Sequence, residues 1–311
     1  MTGAAENVRL AAIILNYRTP ALVIDCLESL LPELDPARDA AVVVDNASGD
    51  GSVSSIDRAV AERGWKGVRL VEAERNAGFA AGNNLGIRSV RAHAYLLLNS
   101  DTLVRPGAVG RLLETLDSDA RLGIVSPRLE WSDGTSQVSC FRLHTPWSEL
   151  IDTAGTGPIR ALLQRWEVPI PVSEASFEPE WTIFAAVLIR DAMLEQVGRL
   201  DEGFFMYYED VDYCRRARAA GWRILYEPRA RVVHLRGGTS PVKALTAARK
   251  RRPRYYYASR SRYFRNAHGR AGLLAANLLW TIGRAIAFAR ELVGDKQPHA
   301  VERELLDVWR G

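Results

Sequence analysis

The feature that most constrains this chain is a short apolar run, Tyr-Leu-Leu-Leu at residues 95–98, that ends abruptly in Asn99-Ser100-Asp101. Such a run is too short for a helix and predicts a strand that is buried on both faces. In open α/β sheets, ligands bind just beyond the carboxyl ends of strands of this kind. An Asp placed there can bind a hard cation, which in turn can bind a diphosphate. Taken alone, however, the three polar residues are also typical of a simple turn.

Three earlier apolar runs, at residues 10–15, 41–44 and 68–71, also lead into polar residues, and segments of helical spacing lie between them. Strands that alternate with helices predict a mostly parallel, doubly wound α/β sheet. The carboxyl ends of parallel strands share one edge of the sheet, so we expect the residues that follow them to form one binding site. The strand ends carry Asn16, Asp45, Asn76 and Asp101, a set suited to a nucleobase, a ribose and a metal-bound diphosphate. Tyr17, Asn46, Gly78 and Asn83 lie near them and are also predicted to bind this ligand.

Thr19-Pro20 is expected to cap the first helix. A later loop, at residues 74–86, is rich in glycine. The loop glycines are expected to let the backbone approach a ligand, and the helix that begins there is expected to offer free N–H groups to phosphate. No Gly-x-Gly-x-x-Gly follows the first strand, and the sequence contains no Gly-x-x-x-x-Gly-Lys-Ser/Thr. A dinucleotide dehydrogenase and a P-loop enzyme are therefore disfavoured.

A second informative stretch is the aromatic run at residues 204–208, which is followed by Glu209, Asp210 and Asp212. Acidic residues in the first turn of a helix are common because they complement its dipole. Their position after a glycine and an aromatic loop nevertheless favours a catalytic role. Farther along, His234 ends a short strand and precedes Gly-Gly-Thr-Ser, and a neutral His is a common metal ligand.

The middle third of the chain has less clear periodicity. Residues 141–180 are rich in Pro, Trp and Phe and are predicted to form a loop-rich segment on the acceptor side of the site. Residues 181–189 resume a strand pattern, and Trp181 and Phe184 within it are predicted to contribute to the acceptor side. Two short strands, at residues 223–226 and 231–233, are expected after the acidic helix.

The C-terminal residues 241–311 combine clustered arginines and three consecutive tyrosines with an interrupted apolar segment at residues 273–288. That segment is shorter than the roughly 18 uninterrupted residues of a spanning helix, so we expect it not to cross a membrane. Arginines interleaved with aromatics could bind single-stranded nucleic acid or anionic lipid headgroups, and the adjacent apolar residues favour an anionic membrane surface. A helix packed on the protein's own core is the alternative.

Charge and cysteine content bound the setting in which the chain works. The formal net charge of +4 does not by itself imply nucleic acid, and no nucleic-acid partner is expected. The three cysteines, Cys26, Cys140 and Cys214, are odd in number and lack metal-ligand spacing, which predicts buried reduced thiols. No secretory signal is visible. These features predict a cytoplasmic protein, attached at most to the inner face of the membrane.

Six stretches, in this order, make the chain resemble the family 2 glycosyltransferases, and within them the rhamnosyltransferase-like branch of bacterial polysaccharide and cell-wall biosynthesis. They are Asn16-Tyr17, Val44-Asp45-Asn46-x-Ser48-x-Asp50-Gly51, Asn76-x-Gly78-Phe79-x-x-Gly82-Asn83-Asn84, Leu98-Asn99-Ser100-Asp101, Phe205-Met-Tyr-x-Glu209-Asp210-x-Asp212 and His234. The resemblance implies a GT-A, Rossmann-like domain at residues 8–240, with a nucleotide-sugar half at about 8–127 and an acceptor half at about 128–240. A basic, amphipathic helical extension, residues 241–311, would follow.

The resemblance also implies a metal site and a nucleoside site. Asn99-Ser100-Asp101 is similar to the family's Asp-x-Asp metal motif, with Asn in its first place. Asp101 would then bind Mg²⁺ or Mn²⁺, and His234 is similar to a later ligand in related enzymes. Asp45 and Asn76 would contact the nucleoside of the donor.

The implied reaction is the inverting transfer of a sugar, such as rhamnose in this branch, from a nucleoside-diphosphate donor to a hydroxyl of a glycan or lipid-linked acceptor. Asp210 would be the general base, with Glu209 and Asp212 in support, and one base and one metal suffice for an in-line displacement. A sugar nucleotidyltransferase is an alternative, although Asn16-Tyr17-Arg18 is not the Gly-rich basic loop expected after its first strand. A non-catalytic nucleotide-sugar-binding module is the other alternative, although the acidic cluster is complete.

Overall fold

The computed structural model describes residues 7–236, 241–294 and 300–311. Within these residues the strands are β1 Asn7–Asn16, β2 Asp39–Asp45, β3 Val68–Glu72, β4 Arg91–Asn99, β5 Thr102–Val104, β6 Leu122–Glu130, β7 Cys140–Phe141, β8 Trp181–Thr182, β9 Ala186–Arg190 and β10 Arg223–His234. The helices are α1 Pro20–Leu30, α2 Ser52–Glu62, α3 Phe79–Ser89, α4 Ala108–Asp117, α5 Pro146–Ala154, α6 Gly157–Leu162, α7 Asp191–Val197, α8 Glu209–Ala219, α9 Val242–Ala247, α10 Arg254–Val293 and α11 Glu304–Arg310.

Parallel pairing dominates the eight-stranded sheet, whose strand order is β3-β2-β1-β4-β9-β6-β10-β5. β1 is parallel to both β2 and β4, β2 is parallel to β3, and β6 is parallel to β10. β9 runs antiparallel between β4 and β6, and the edge strand β5 runs antiparallel to β10. The prediction of a mostly parallel α/β sheet is confirmed, and β7 and β8 form a separate two-stranded ribbon.

Side chains of the central strands alternate between two apolar layers, one on each face of the sheet. Ile13 packs in the layer that contains Ile87 of α3, whereas its neighbour Ile14 packs in the layer that contains Leu27 of α1. Successive side chains of a strand point to opposite faces, so a sheet covered by helices on both sides requires continuous apolar runs. The register then pairs Asn16 with Asp45 and Leu15 with Asn99, which places the strand ends level at one edge.

The three cysteines are free and buried, as predicted. Burial raises the pKa of the Cys26 thiol to about 12 and that of Cys140 to about 11. A thiol with so high a pKa carries almost no thiolate at neutral pH and is a poor nucleophile. The cysteines therefore act as core residues.

The middle segment differs from the sequence-based expectation. Residues 141–180 were predicted to be loop-rich but contain α5 and α6. The start of α5 carries a capping box, in which Thr145 Oγ1 accepts from the N–H of Ser148, and Pro146 occupies the first helical turn. These are sequence-readable signals of a helix start, so the error was one of missed capping chemistry.

Two strand predictions in the second half were also wrong in detail. The strand expected at residues 181–189 is divided into β8 and β9. The two strands expected at residues 223–226 and 231–233 form one strand, β10, whose register against β6 shifts between Glu227 and Arg231. An irregularity of this kind lets one strand bend without breaking its pairing.

The helical extension, residues 241–311, packs back onto the sheet domain. Its long helix α10 is kinked at Gly269, where φ is 70°, and it contacts α5, α8 and α11. The sequence favours an anionic membrane surface as the partner of its basic cluster, and that contact stays a prediction, but several of the arginines form ion pairs with acids of the protein. These pairs are Arg251–Asp307, Arg252–Glu304, Arg260–Glu149, Arg262–Asp201 and Arg284–Glu291.

By length and composition, α10 is the one helix among the described residues that could cross a membrane. Its apolar window has a mean hydropathy of 1.4, so the expectation that residues 273–288 are too interrupted is not upheld by composition. This is weak evidence for a span, because core helices pass the same test. Thr153 of α5 donates to the carbonyl of Trp280 over 3.2 Å, and a side chain at Gly283 would collide with Thr153. One face of α10 is therefore packed against α5.

Candidate active site

A cavity of about 420 Å³ lies where the carboxyl ends of β1, β2 and β4 meet the loops of the second half. The predicted site residues that line it are Tyr17, Asn46, Asn76, Gly78, Asn99, Ser100, Asp101, Trp181, Phe184, Glu209, Asp210 and His234. Asn16, Asp45, Asn83 and Asp212 are not part of the lining. Asn83 is buried in α3, where its Nδ2 donates to the carbonyl of Phe79 over 3.0 Å.

One side of the cavity, which we call the strand-end wall, consists of Tyr17, Asn46, Asn76 and residues 99–101. Asn46 Nδ2 donates to Asn76 Oδ1 over 3.0 Å and to the carbonyl of Gly78 over 3.2 Å. Asn46 Oδ1 is buried and has no hydrogen-bond partner in the part of the chain that the structure describes. A buried polar atom without a partner costs about 1–3 kcal/mol. This oxygen is therefore suited to accept a hydrogen bond from a ligand.

Asn16 and Asp45 support the strand-end wall from beneath. Asn16 Nδ2 donates to Asp45 Oδ1 over 2.6 Å, and the N–H and hydroxyl of Ser48 donate to the same carboxylate over 2.9 and 2.6 Å. The predicted contact of the enclosed Asp45 with a nucleoside stays a prediction. The expectation that Thr19 caps α1 was wrong, because its side chain forms no capping bond and its hydroxyl instead lies 2.9 Å from Ser100 Oγ.

Gly78 brings two loops of the chain into direct contact. Its φ is 96°, and a Cβ at this position would overlap the backbone of Phe205. The N–H of Phe79 donates to the carbonyl of Phe205 over 2.7 Å. The glycine is thus required for a close approach within the protein. The N–H of Phe79, at the start of α3, is consequently not free for phosphate, and the expectation that this helix binds phosphate stays a prediction for its other N–H groups.

Asp101, between β4 and β5, and His234, the last residue of β10, meet at the cavity. His234 Nε2 lies 3.5 Å from Asp101 Oδ1, and the two side chains are 12% and 10% exposed. His234 Nδ1 is buried without a hydrogen-bond partner among the described residues. The Gly-Gly-Thr-Ser turn expected after His234 lies outside the described residues. Within the described ranges, no group of three or more His, Cys, Asp and Glu side chains could hold a metal ion.

Glu209 and Asp210 begin α8 at the cavity. Burial raises the pKa of Asp210 to about 6, although the N–H of Val211, 2.8 Å from its Oδ1, favours the ionised form. Burial and the charge of Asp210 raise the pKa of Glu209 well above the ordinary carboxyl range. Asp212 instead forms ion pairs with Arg215 and Arg216, over 3.0 and 2.9 Å, away from the cavity lining. Its position thus favours a structural role in α8.

The turn that precedes these acids has an unusual backbone. Tyr207 and Tyr208 have φ values of 69° and 67°, and two consecutive non-glycine residues in this region are costly unless neighbouring structure fixes them. Tyr256 of α10 packs against both rings, with centroid separations of 5.6 and 6.4 Å. Ser259 of α10 donates to the carbonyl of Met206 over 3.0 Å. The helical extension therefore forms part of the cavity.

A family model described as glycosyltransferase like family 2 matches residues 8–258, a range that includes every predicted site residue. The chain belongs to this family. It is accordingly a transferase, and the family predicted from the six sequence stretches is confirmed. The glycosyltransferase match ends within α10, just beyond Tyr256.

Two relatives indicate the kind of chemistry found among similar chains. An N-acetylglucosaminyl-diphospho-decaprenol L-rhamnosyltransferase of Mycobacterium tuberculosis is 27% identical, over 92% of this chain and 94% of its own length. A low-salt glycan biosynthesis hexosyltransferase of Haloferax volcanii is 27% identical, over 67% of this chain and 61% of its own length.

Solved structures of glycosyltransferases share the fold. A mannosyltransferase of Pyrobaculum calidifontis, in complex with GDP-Man and Mn²⁺, superposes with a TM-score of 0.59 at 16% identity, covering 96% of this chain and 80% of that one. GalNAc-T7 with UDP, GalNAc and Mn²⁺ has a TM-score of 0.59 at 12% identity, covering 86% of this chain and 52% of that one. At these identities the similarity shows the fold alone, and the predicted GT-A fold is confirmed.

The sequence reasoning did not assign several cavity residues of this glycosyltransferase, and four of them matter for its chemistry. They are His144, Arg236, Lys243 and Tyr256. Burial and the charge of Arg260 lower the pKa of His144 to about 4, so its ring is neutral at pH 7. Together with Trp181, Tyr207 and Tyr208, the rings of His144 and Tyr256 form the opposite side of the cavity, which we call the aromatic wall. Nothing local in the sequence brings α10 to this place.

Proposed function

We propose that this glycosyltransferase moves a sugar from a nucleoside-diphosphate donor to a hydroxyl of a glycan or lipid-linked acceptor, with inversion at the anomeric carbon. The observation that carries the proposal is that Asp210, the Asp101–His234 pair and the Asn46–Asn76 pair line a single cavity. One in-line displacement needs a base, a site that neutralises the charge of the diphosphate, and a polar site for the nucleoside.

Asp210 is assigned as the general base. It would accept the proton of the acceptor hydroxyl while that oxygen bonds to the anomeric carbon and the donor diphosphate leaves with the electron pair. A pKa of about 6 makes it a stronger base than an ordinary Asp, yet leaves it mostly ionised at pH 7. The raised pKa of Glu209 favours its neutral form, which avoids a second negative charge beside Asp210. A positioned base contributes roughly 10²–10⁴-fold to the rate.

The donor set at Asp101 and His234 fits a divalent metal. A carboxylate and an imidazole lie 3.5 Å apart, and the second ring nitrogen of the His has no partner among the described residues. Asn99, in the place of the family's first Asp, can offer a neutral amide oxygen only. Mg²⁺ or Mn²⁺ held there would neutralise charge on the leaving diphosphate. The presence of Mn²⁺ in two structures of the same fold supports this assignment.

The strand-end wall is assigned to the donor and the aromatic wall to the acceptor. Asn46, Asn76 and Tyr17 would contact the nucleoside, while Asn16 and Asp45 would position them. Trp181 and Phe184 would contact the acceptor, because aromatic rings suit the apolar faces of sugars. The name of the mycobacterial relative supports rhamnose as the sugar and an N-acetylglucosaminyl-diphospho-lipid as the acceptor class.

A lipid-linked acceptor would be reached at the inner membrane surface, and we assign this contact to exposed apolar side chains of α10 and α11. They are Leu274, Leu278, Ile282, Phe288, Leu292, Leu305, Leu306 and Trp309. Helices with one apolar face lie in the membrane interface. Several arginines of the extension are occupied by ion pairs, so apolar contact is expected to outweigh the attraction to anionic lipid that the sequence suggested.

The test is a panel of nucleoside-diphosphate sugars, each assayed by thermal shift and by release of free nucleoside diphosphate, with Mn²⁺ or with EDTA. A donor present at 100 times its Kd adds about 2.7 kcal/mol to the free energy of unfolding, so the true donor is identified by its shift. Asp101→Ala is expected to abolish the metal-dependent part of that shift. Full activity in EDTA would contradict the metal assignment, and the absence of any shift or release across the panel would contradict sugar-nucleotide binding.

A further inference from the structure

Two basic side chains of the cavity have no role in the proposed function. Arg236 follows His234 by two residues, and Lys243 lies in the first turn of α9. Both line the cavity together with Asp101. Neither forms an ion pair with a carboxylate among the residues that the structure describes, although Asp101 is close enough to act on the charge of both.

This lack of carboxylate partners distinguishes the two cations from other arginines of the C-terminal region. Arg251, Arg252, Arg260, Arg262 and Arg284 each pair with an Asp or Glu within 2.9 Å. Arg236 is half-buried, and a cation removed from water is stable only where an anion or hydrogen-bond acceptors compensate it. Its other contacts are neutral, since Nη2 donates to the carbonyl of Val138 over 3.4 Å and the guanidinium lies 5.4 Å from the centre of the Trp131 ring. An anion from outside the chain would balance its charge.

Arg236 is also held in a fixed position. Its Nε donates to Oε1 of the buried Gln137, whose own Nε2 donates to the carbonyl of His234 over 2.7 Å and to that of Glu130 over 3.0 Å. One amide therefore supports both the strand end that carries His234 and the guanidinium of Arg236. The φ of Arg236 is 56°, a strained value that such contacts must maintain. Preorganisation of this kind is typical of a binding site.

We propose that Arg236 and Lys243 bind the diphosphate of the donor and stabilise the charge that it gains on leaving. The proposal deepens the proposed function and rests on it. A nucleoside diphosphate leaves with more negative charge than one divalent ion neutralises, particularly beside Asp101. Guanidinium and ammonium groups form short, charge-assisted hydrogen bonds to phosphate oxygens. Asn99 is neutral where the family's motif has its first Asp, so the negative charge near these cations is also lower.

The experiment measures the binding of UDP, UMP, dTDP and dTMP by calorimetry in EDTA, so that no metal contributes. For the nucleoside that the wild type binds, Arg236→Met and Lys243→Met are each expected to weaken the diphosphate about tenfold and to leave the monophosphate within about twofold. Lys243→Arg should retain most of the diphosphate affinity. Lys250→Met, which removes an exposed lysine outside the cavity lining, is the matched control and should bind like the wild type.

The outcomes separate this proposal from the proposed function. If the wild type binds diphosphates and both Met variants bind them equally well, with unchanged melting temperatures, the cations have no role at the donor and the inference fails alone. If the variants lose affinity only for a phosphate-bearing acceptor, the cations bind that phosphate, and the assignment to the donor is overturned. If the wild type binds none of the four nucleotides in EDTA or with Mn²⁺, and a GDP control also fails under both conditions, both proposals fall.

Discussion

The two walls of the cavity are built in different ways. The strand-end wall arises where adjacent parallel strands end. Its contacts join neighbouring strand ends, Asn16 with Asp45 beneath the wall and Asn46 with Asn76 within it. The aromatic wall joins parts of the chain that are far apart, with ring centroids separated by 5.3 Å for His144–Tyr208 and 5.6 Å for Tyr207–Tyr256. The first wall is fixed by sheet register, and the second by helix packing.

This difference predicts different consequences of mutation. The sheet register holds the strand-end wall even when one of its side chains is changed, so such changes should alter binding or chemistry with little loss of stability. The aromatic wall depends on α10 and on the buried ion pair Arg260–Glu149, whose side chains are 4% and 9% exposed. Changes there should reduce stability first and activity as a consequence. Asp210 lines the cavity at the start of α8, and its replacement should change chemistry without a loss of stability at pH 7.

The largest expected effect is on turnover in Asp210→Asn. The change keeps the shape but removes the proton acceptor, so kcat should fall by roughly 10²–10⁴-fold while the affinity for the donor stays within a few-fold. Steady-state kinetics and donor titration measure the two quantities. Asp212→Asn is the control, because that carboxylate pairs with Arg215 and Arg216 and should affect stability more than turnover.

Retention of most turnover in Asp210→Asn would contradict the base assignment. If Glu209→Gln were then inactive, the assignment would move to Glu209. If Asp210→Asn, Glu209→Gln and Asp212→Asn all stayed active, the acidic cluster would be a helix start only.

The second effect concerns the attachment of the aromatic wall. Arg260→Met leaves Glu149 buried without its partner and also removes the 2.8 Å bond to Asn277 Oδ1, so the free energy of unfolding should fall by about 3–5 kcal/mol. Urea denaturation measures the change. Arg262→Met is the matched control on the same helix, because its partner Asp201 and its own side chain are partly exposed, and it should cost about 0–1 kcal/mol. Equal effects would show that α10 is not anchored by the buried pair.

The third effect tests the close contact between Gly78 and the backbone of Phe205, which joins the loops beside the two walls. Gly78→Ala imposes a positive φ on a residue with a Cβ and also collides with the backbone of Phe205, so it should destabilise by more than about 1–3 kcal/mol and lower activity. Gly107→Ala is the control: its φ of 79° is similar, but no atom lies within 4 Å of the added Cβ. A similar loss of stability in both variants, with full activity retained, would mean that only backbone strain matters at Gly78.

The strand-end wall was largely predictable from the sequence for a physical reason. A buried parallel strand requires a continuous apolar run, and the residue after the run must lie at the sheet edge, so Tyr17, Asn76 and Asp101 could be placed without a structure. The sequence does not reveal which polar residues face the cavity. Asp45 ends β2 and Asn83 lies within α3, yet both were predicted to bind the donor. They lie outside the lining, and their side chains bond to Ser48 and to the carbonyl of Phe79.

The aromatic wall could not be predicted, because its geometry depends on partners that are distant in sequence. Tyr256 reaches the cavity only because α10 packs back on α5 and α8. The left-handed backbone at Tyr207 and Tyr208 could not be predicted either, because no glycine at these positions indicates it. The same cause explains why the ion pairs of the arginines could not be predicted. Their acidic partners, such as Glu149 and Asp307, are far away in the sequence.

The fourth effect is a pH dependence that separates chemistry from stability. Only ionised Asp210 can accept a proton, so kcat/KM should fall about tenfold per pH unit below its pKa of about 6 and level off above it. The pKa of this group is raised in the folded state, so its contribution to stability is present at low pH and decreases as pH rises from about 4 to 6. Asp210→Asn should remove both trends and should be at least as stable as the wild type at pH 7. A flat activity profile between pH 5 and 7 would contradict the assignment.

The smallest expected effect concerns the membrane contact of the extension. Leu278→Asp and Ile282→Asp place charge on the exposed face of α10, where the wild-type side chains are 48% and 50% exposed, so folding should be little affected. Each should weaken liposome binding by a factor of a few to about tenfold, because burying an apolar side chain contributes about 1.5–3 kcal/mol at most. Flotation with neutral and anionic liposomes, at low and high salt, measures it. Leu162→Asp on α6, 82% exposed and outside the extension, is the control.

Because ion pairs occupy several arginines, liposome binding by the wild type should persist at high salt. Binding that is lost at high salt and is unchanged in both Asp variants would assign the contact to charge. Equal absence of binding in the wild type and in all variants would remove the membrane from the proposal and leave this face to another partner.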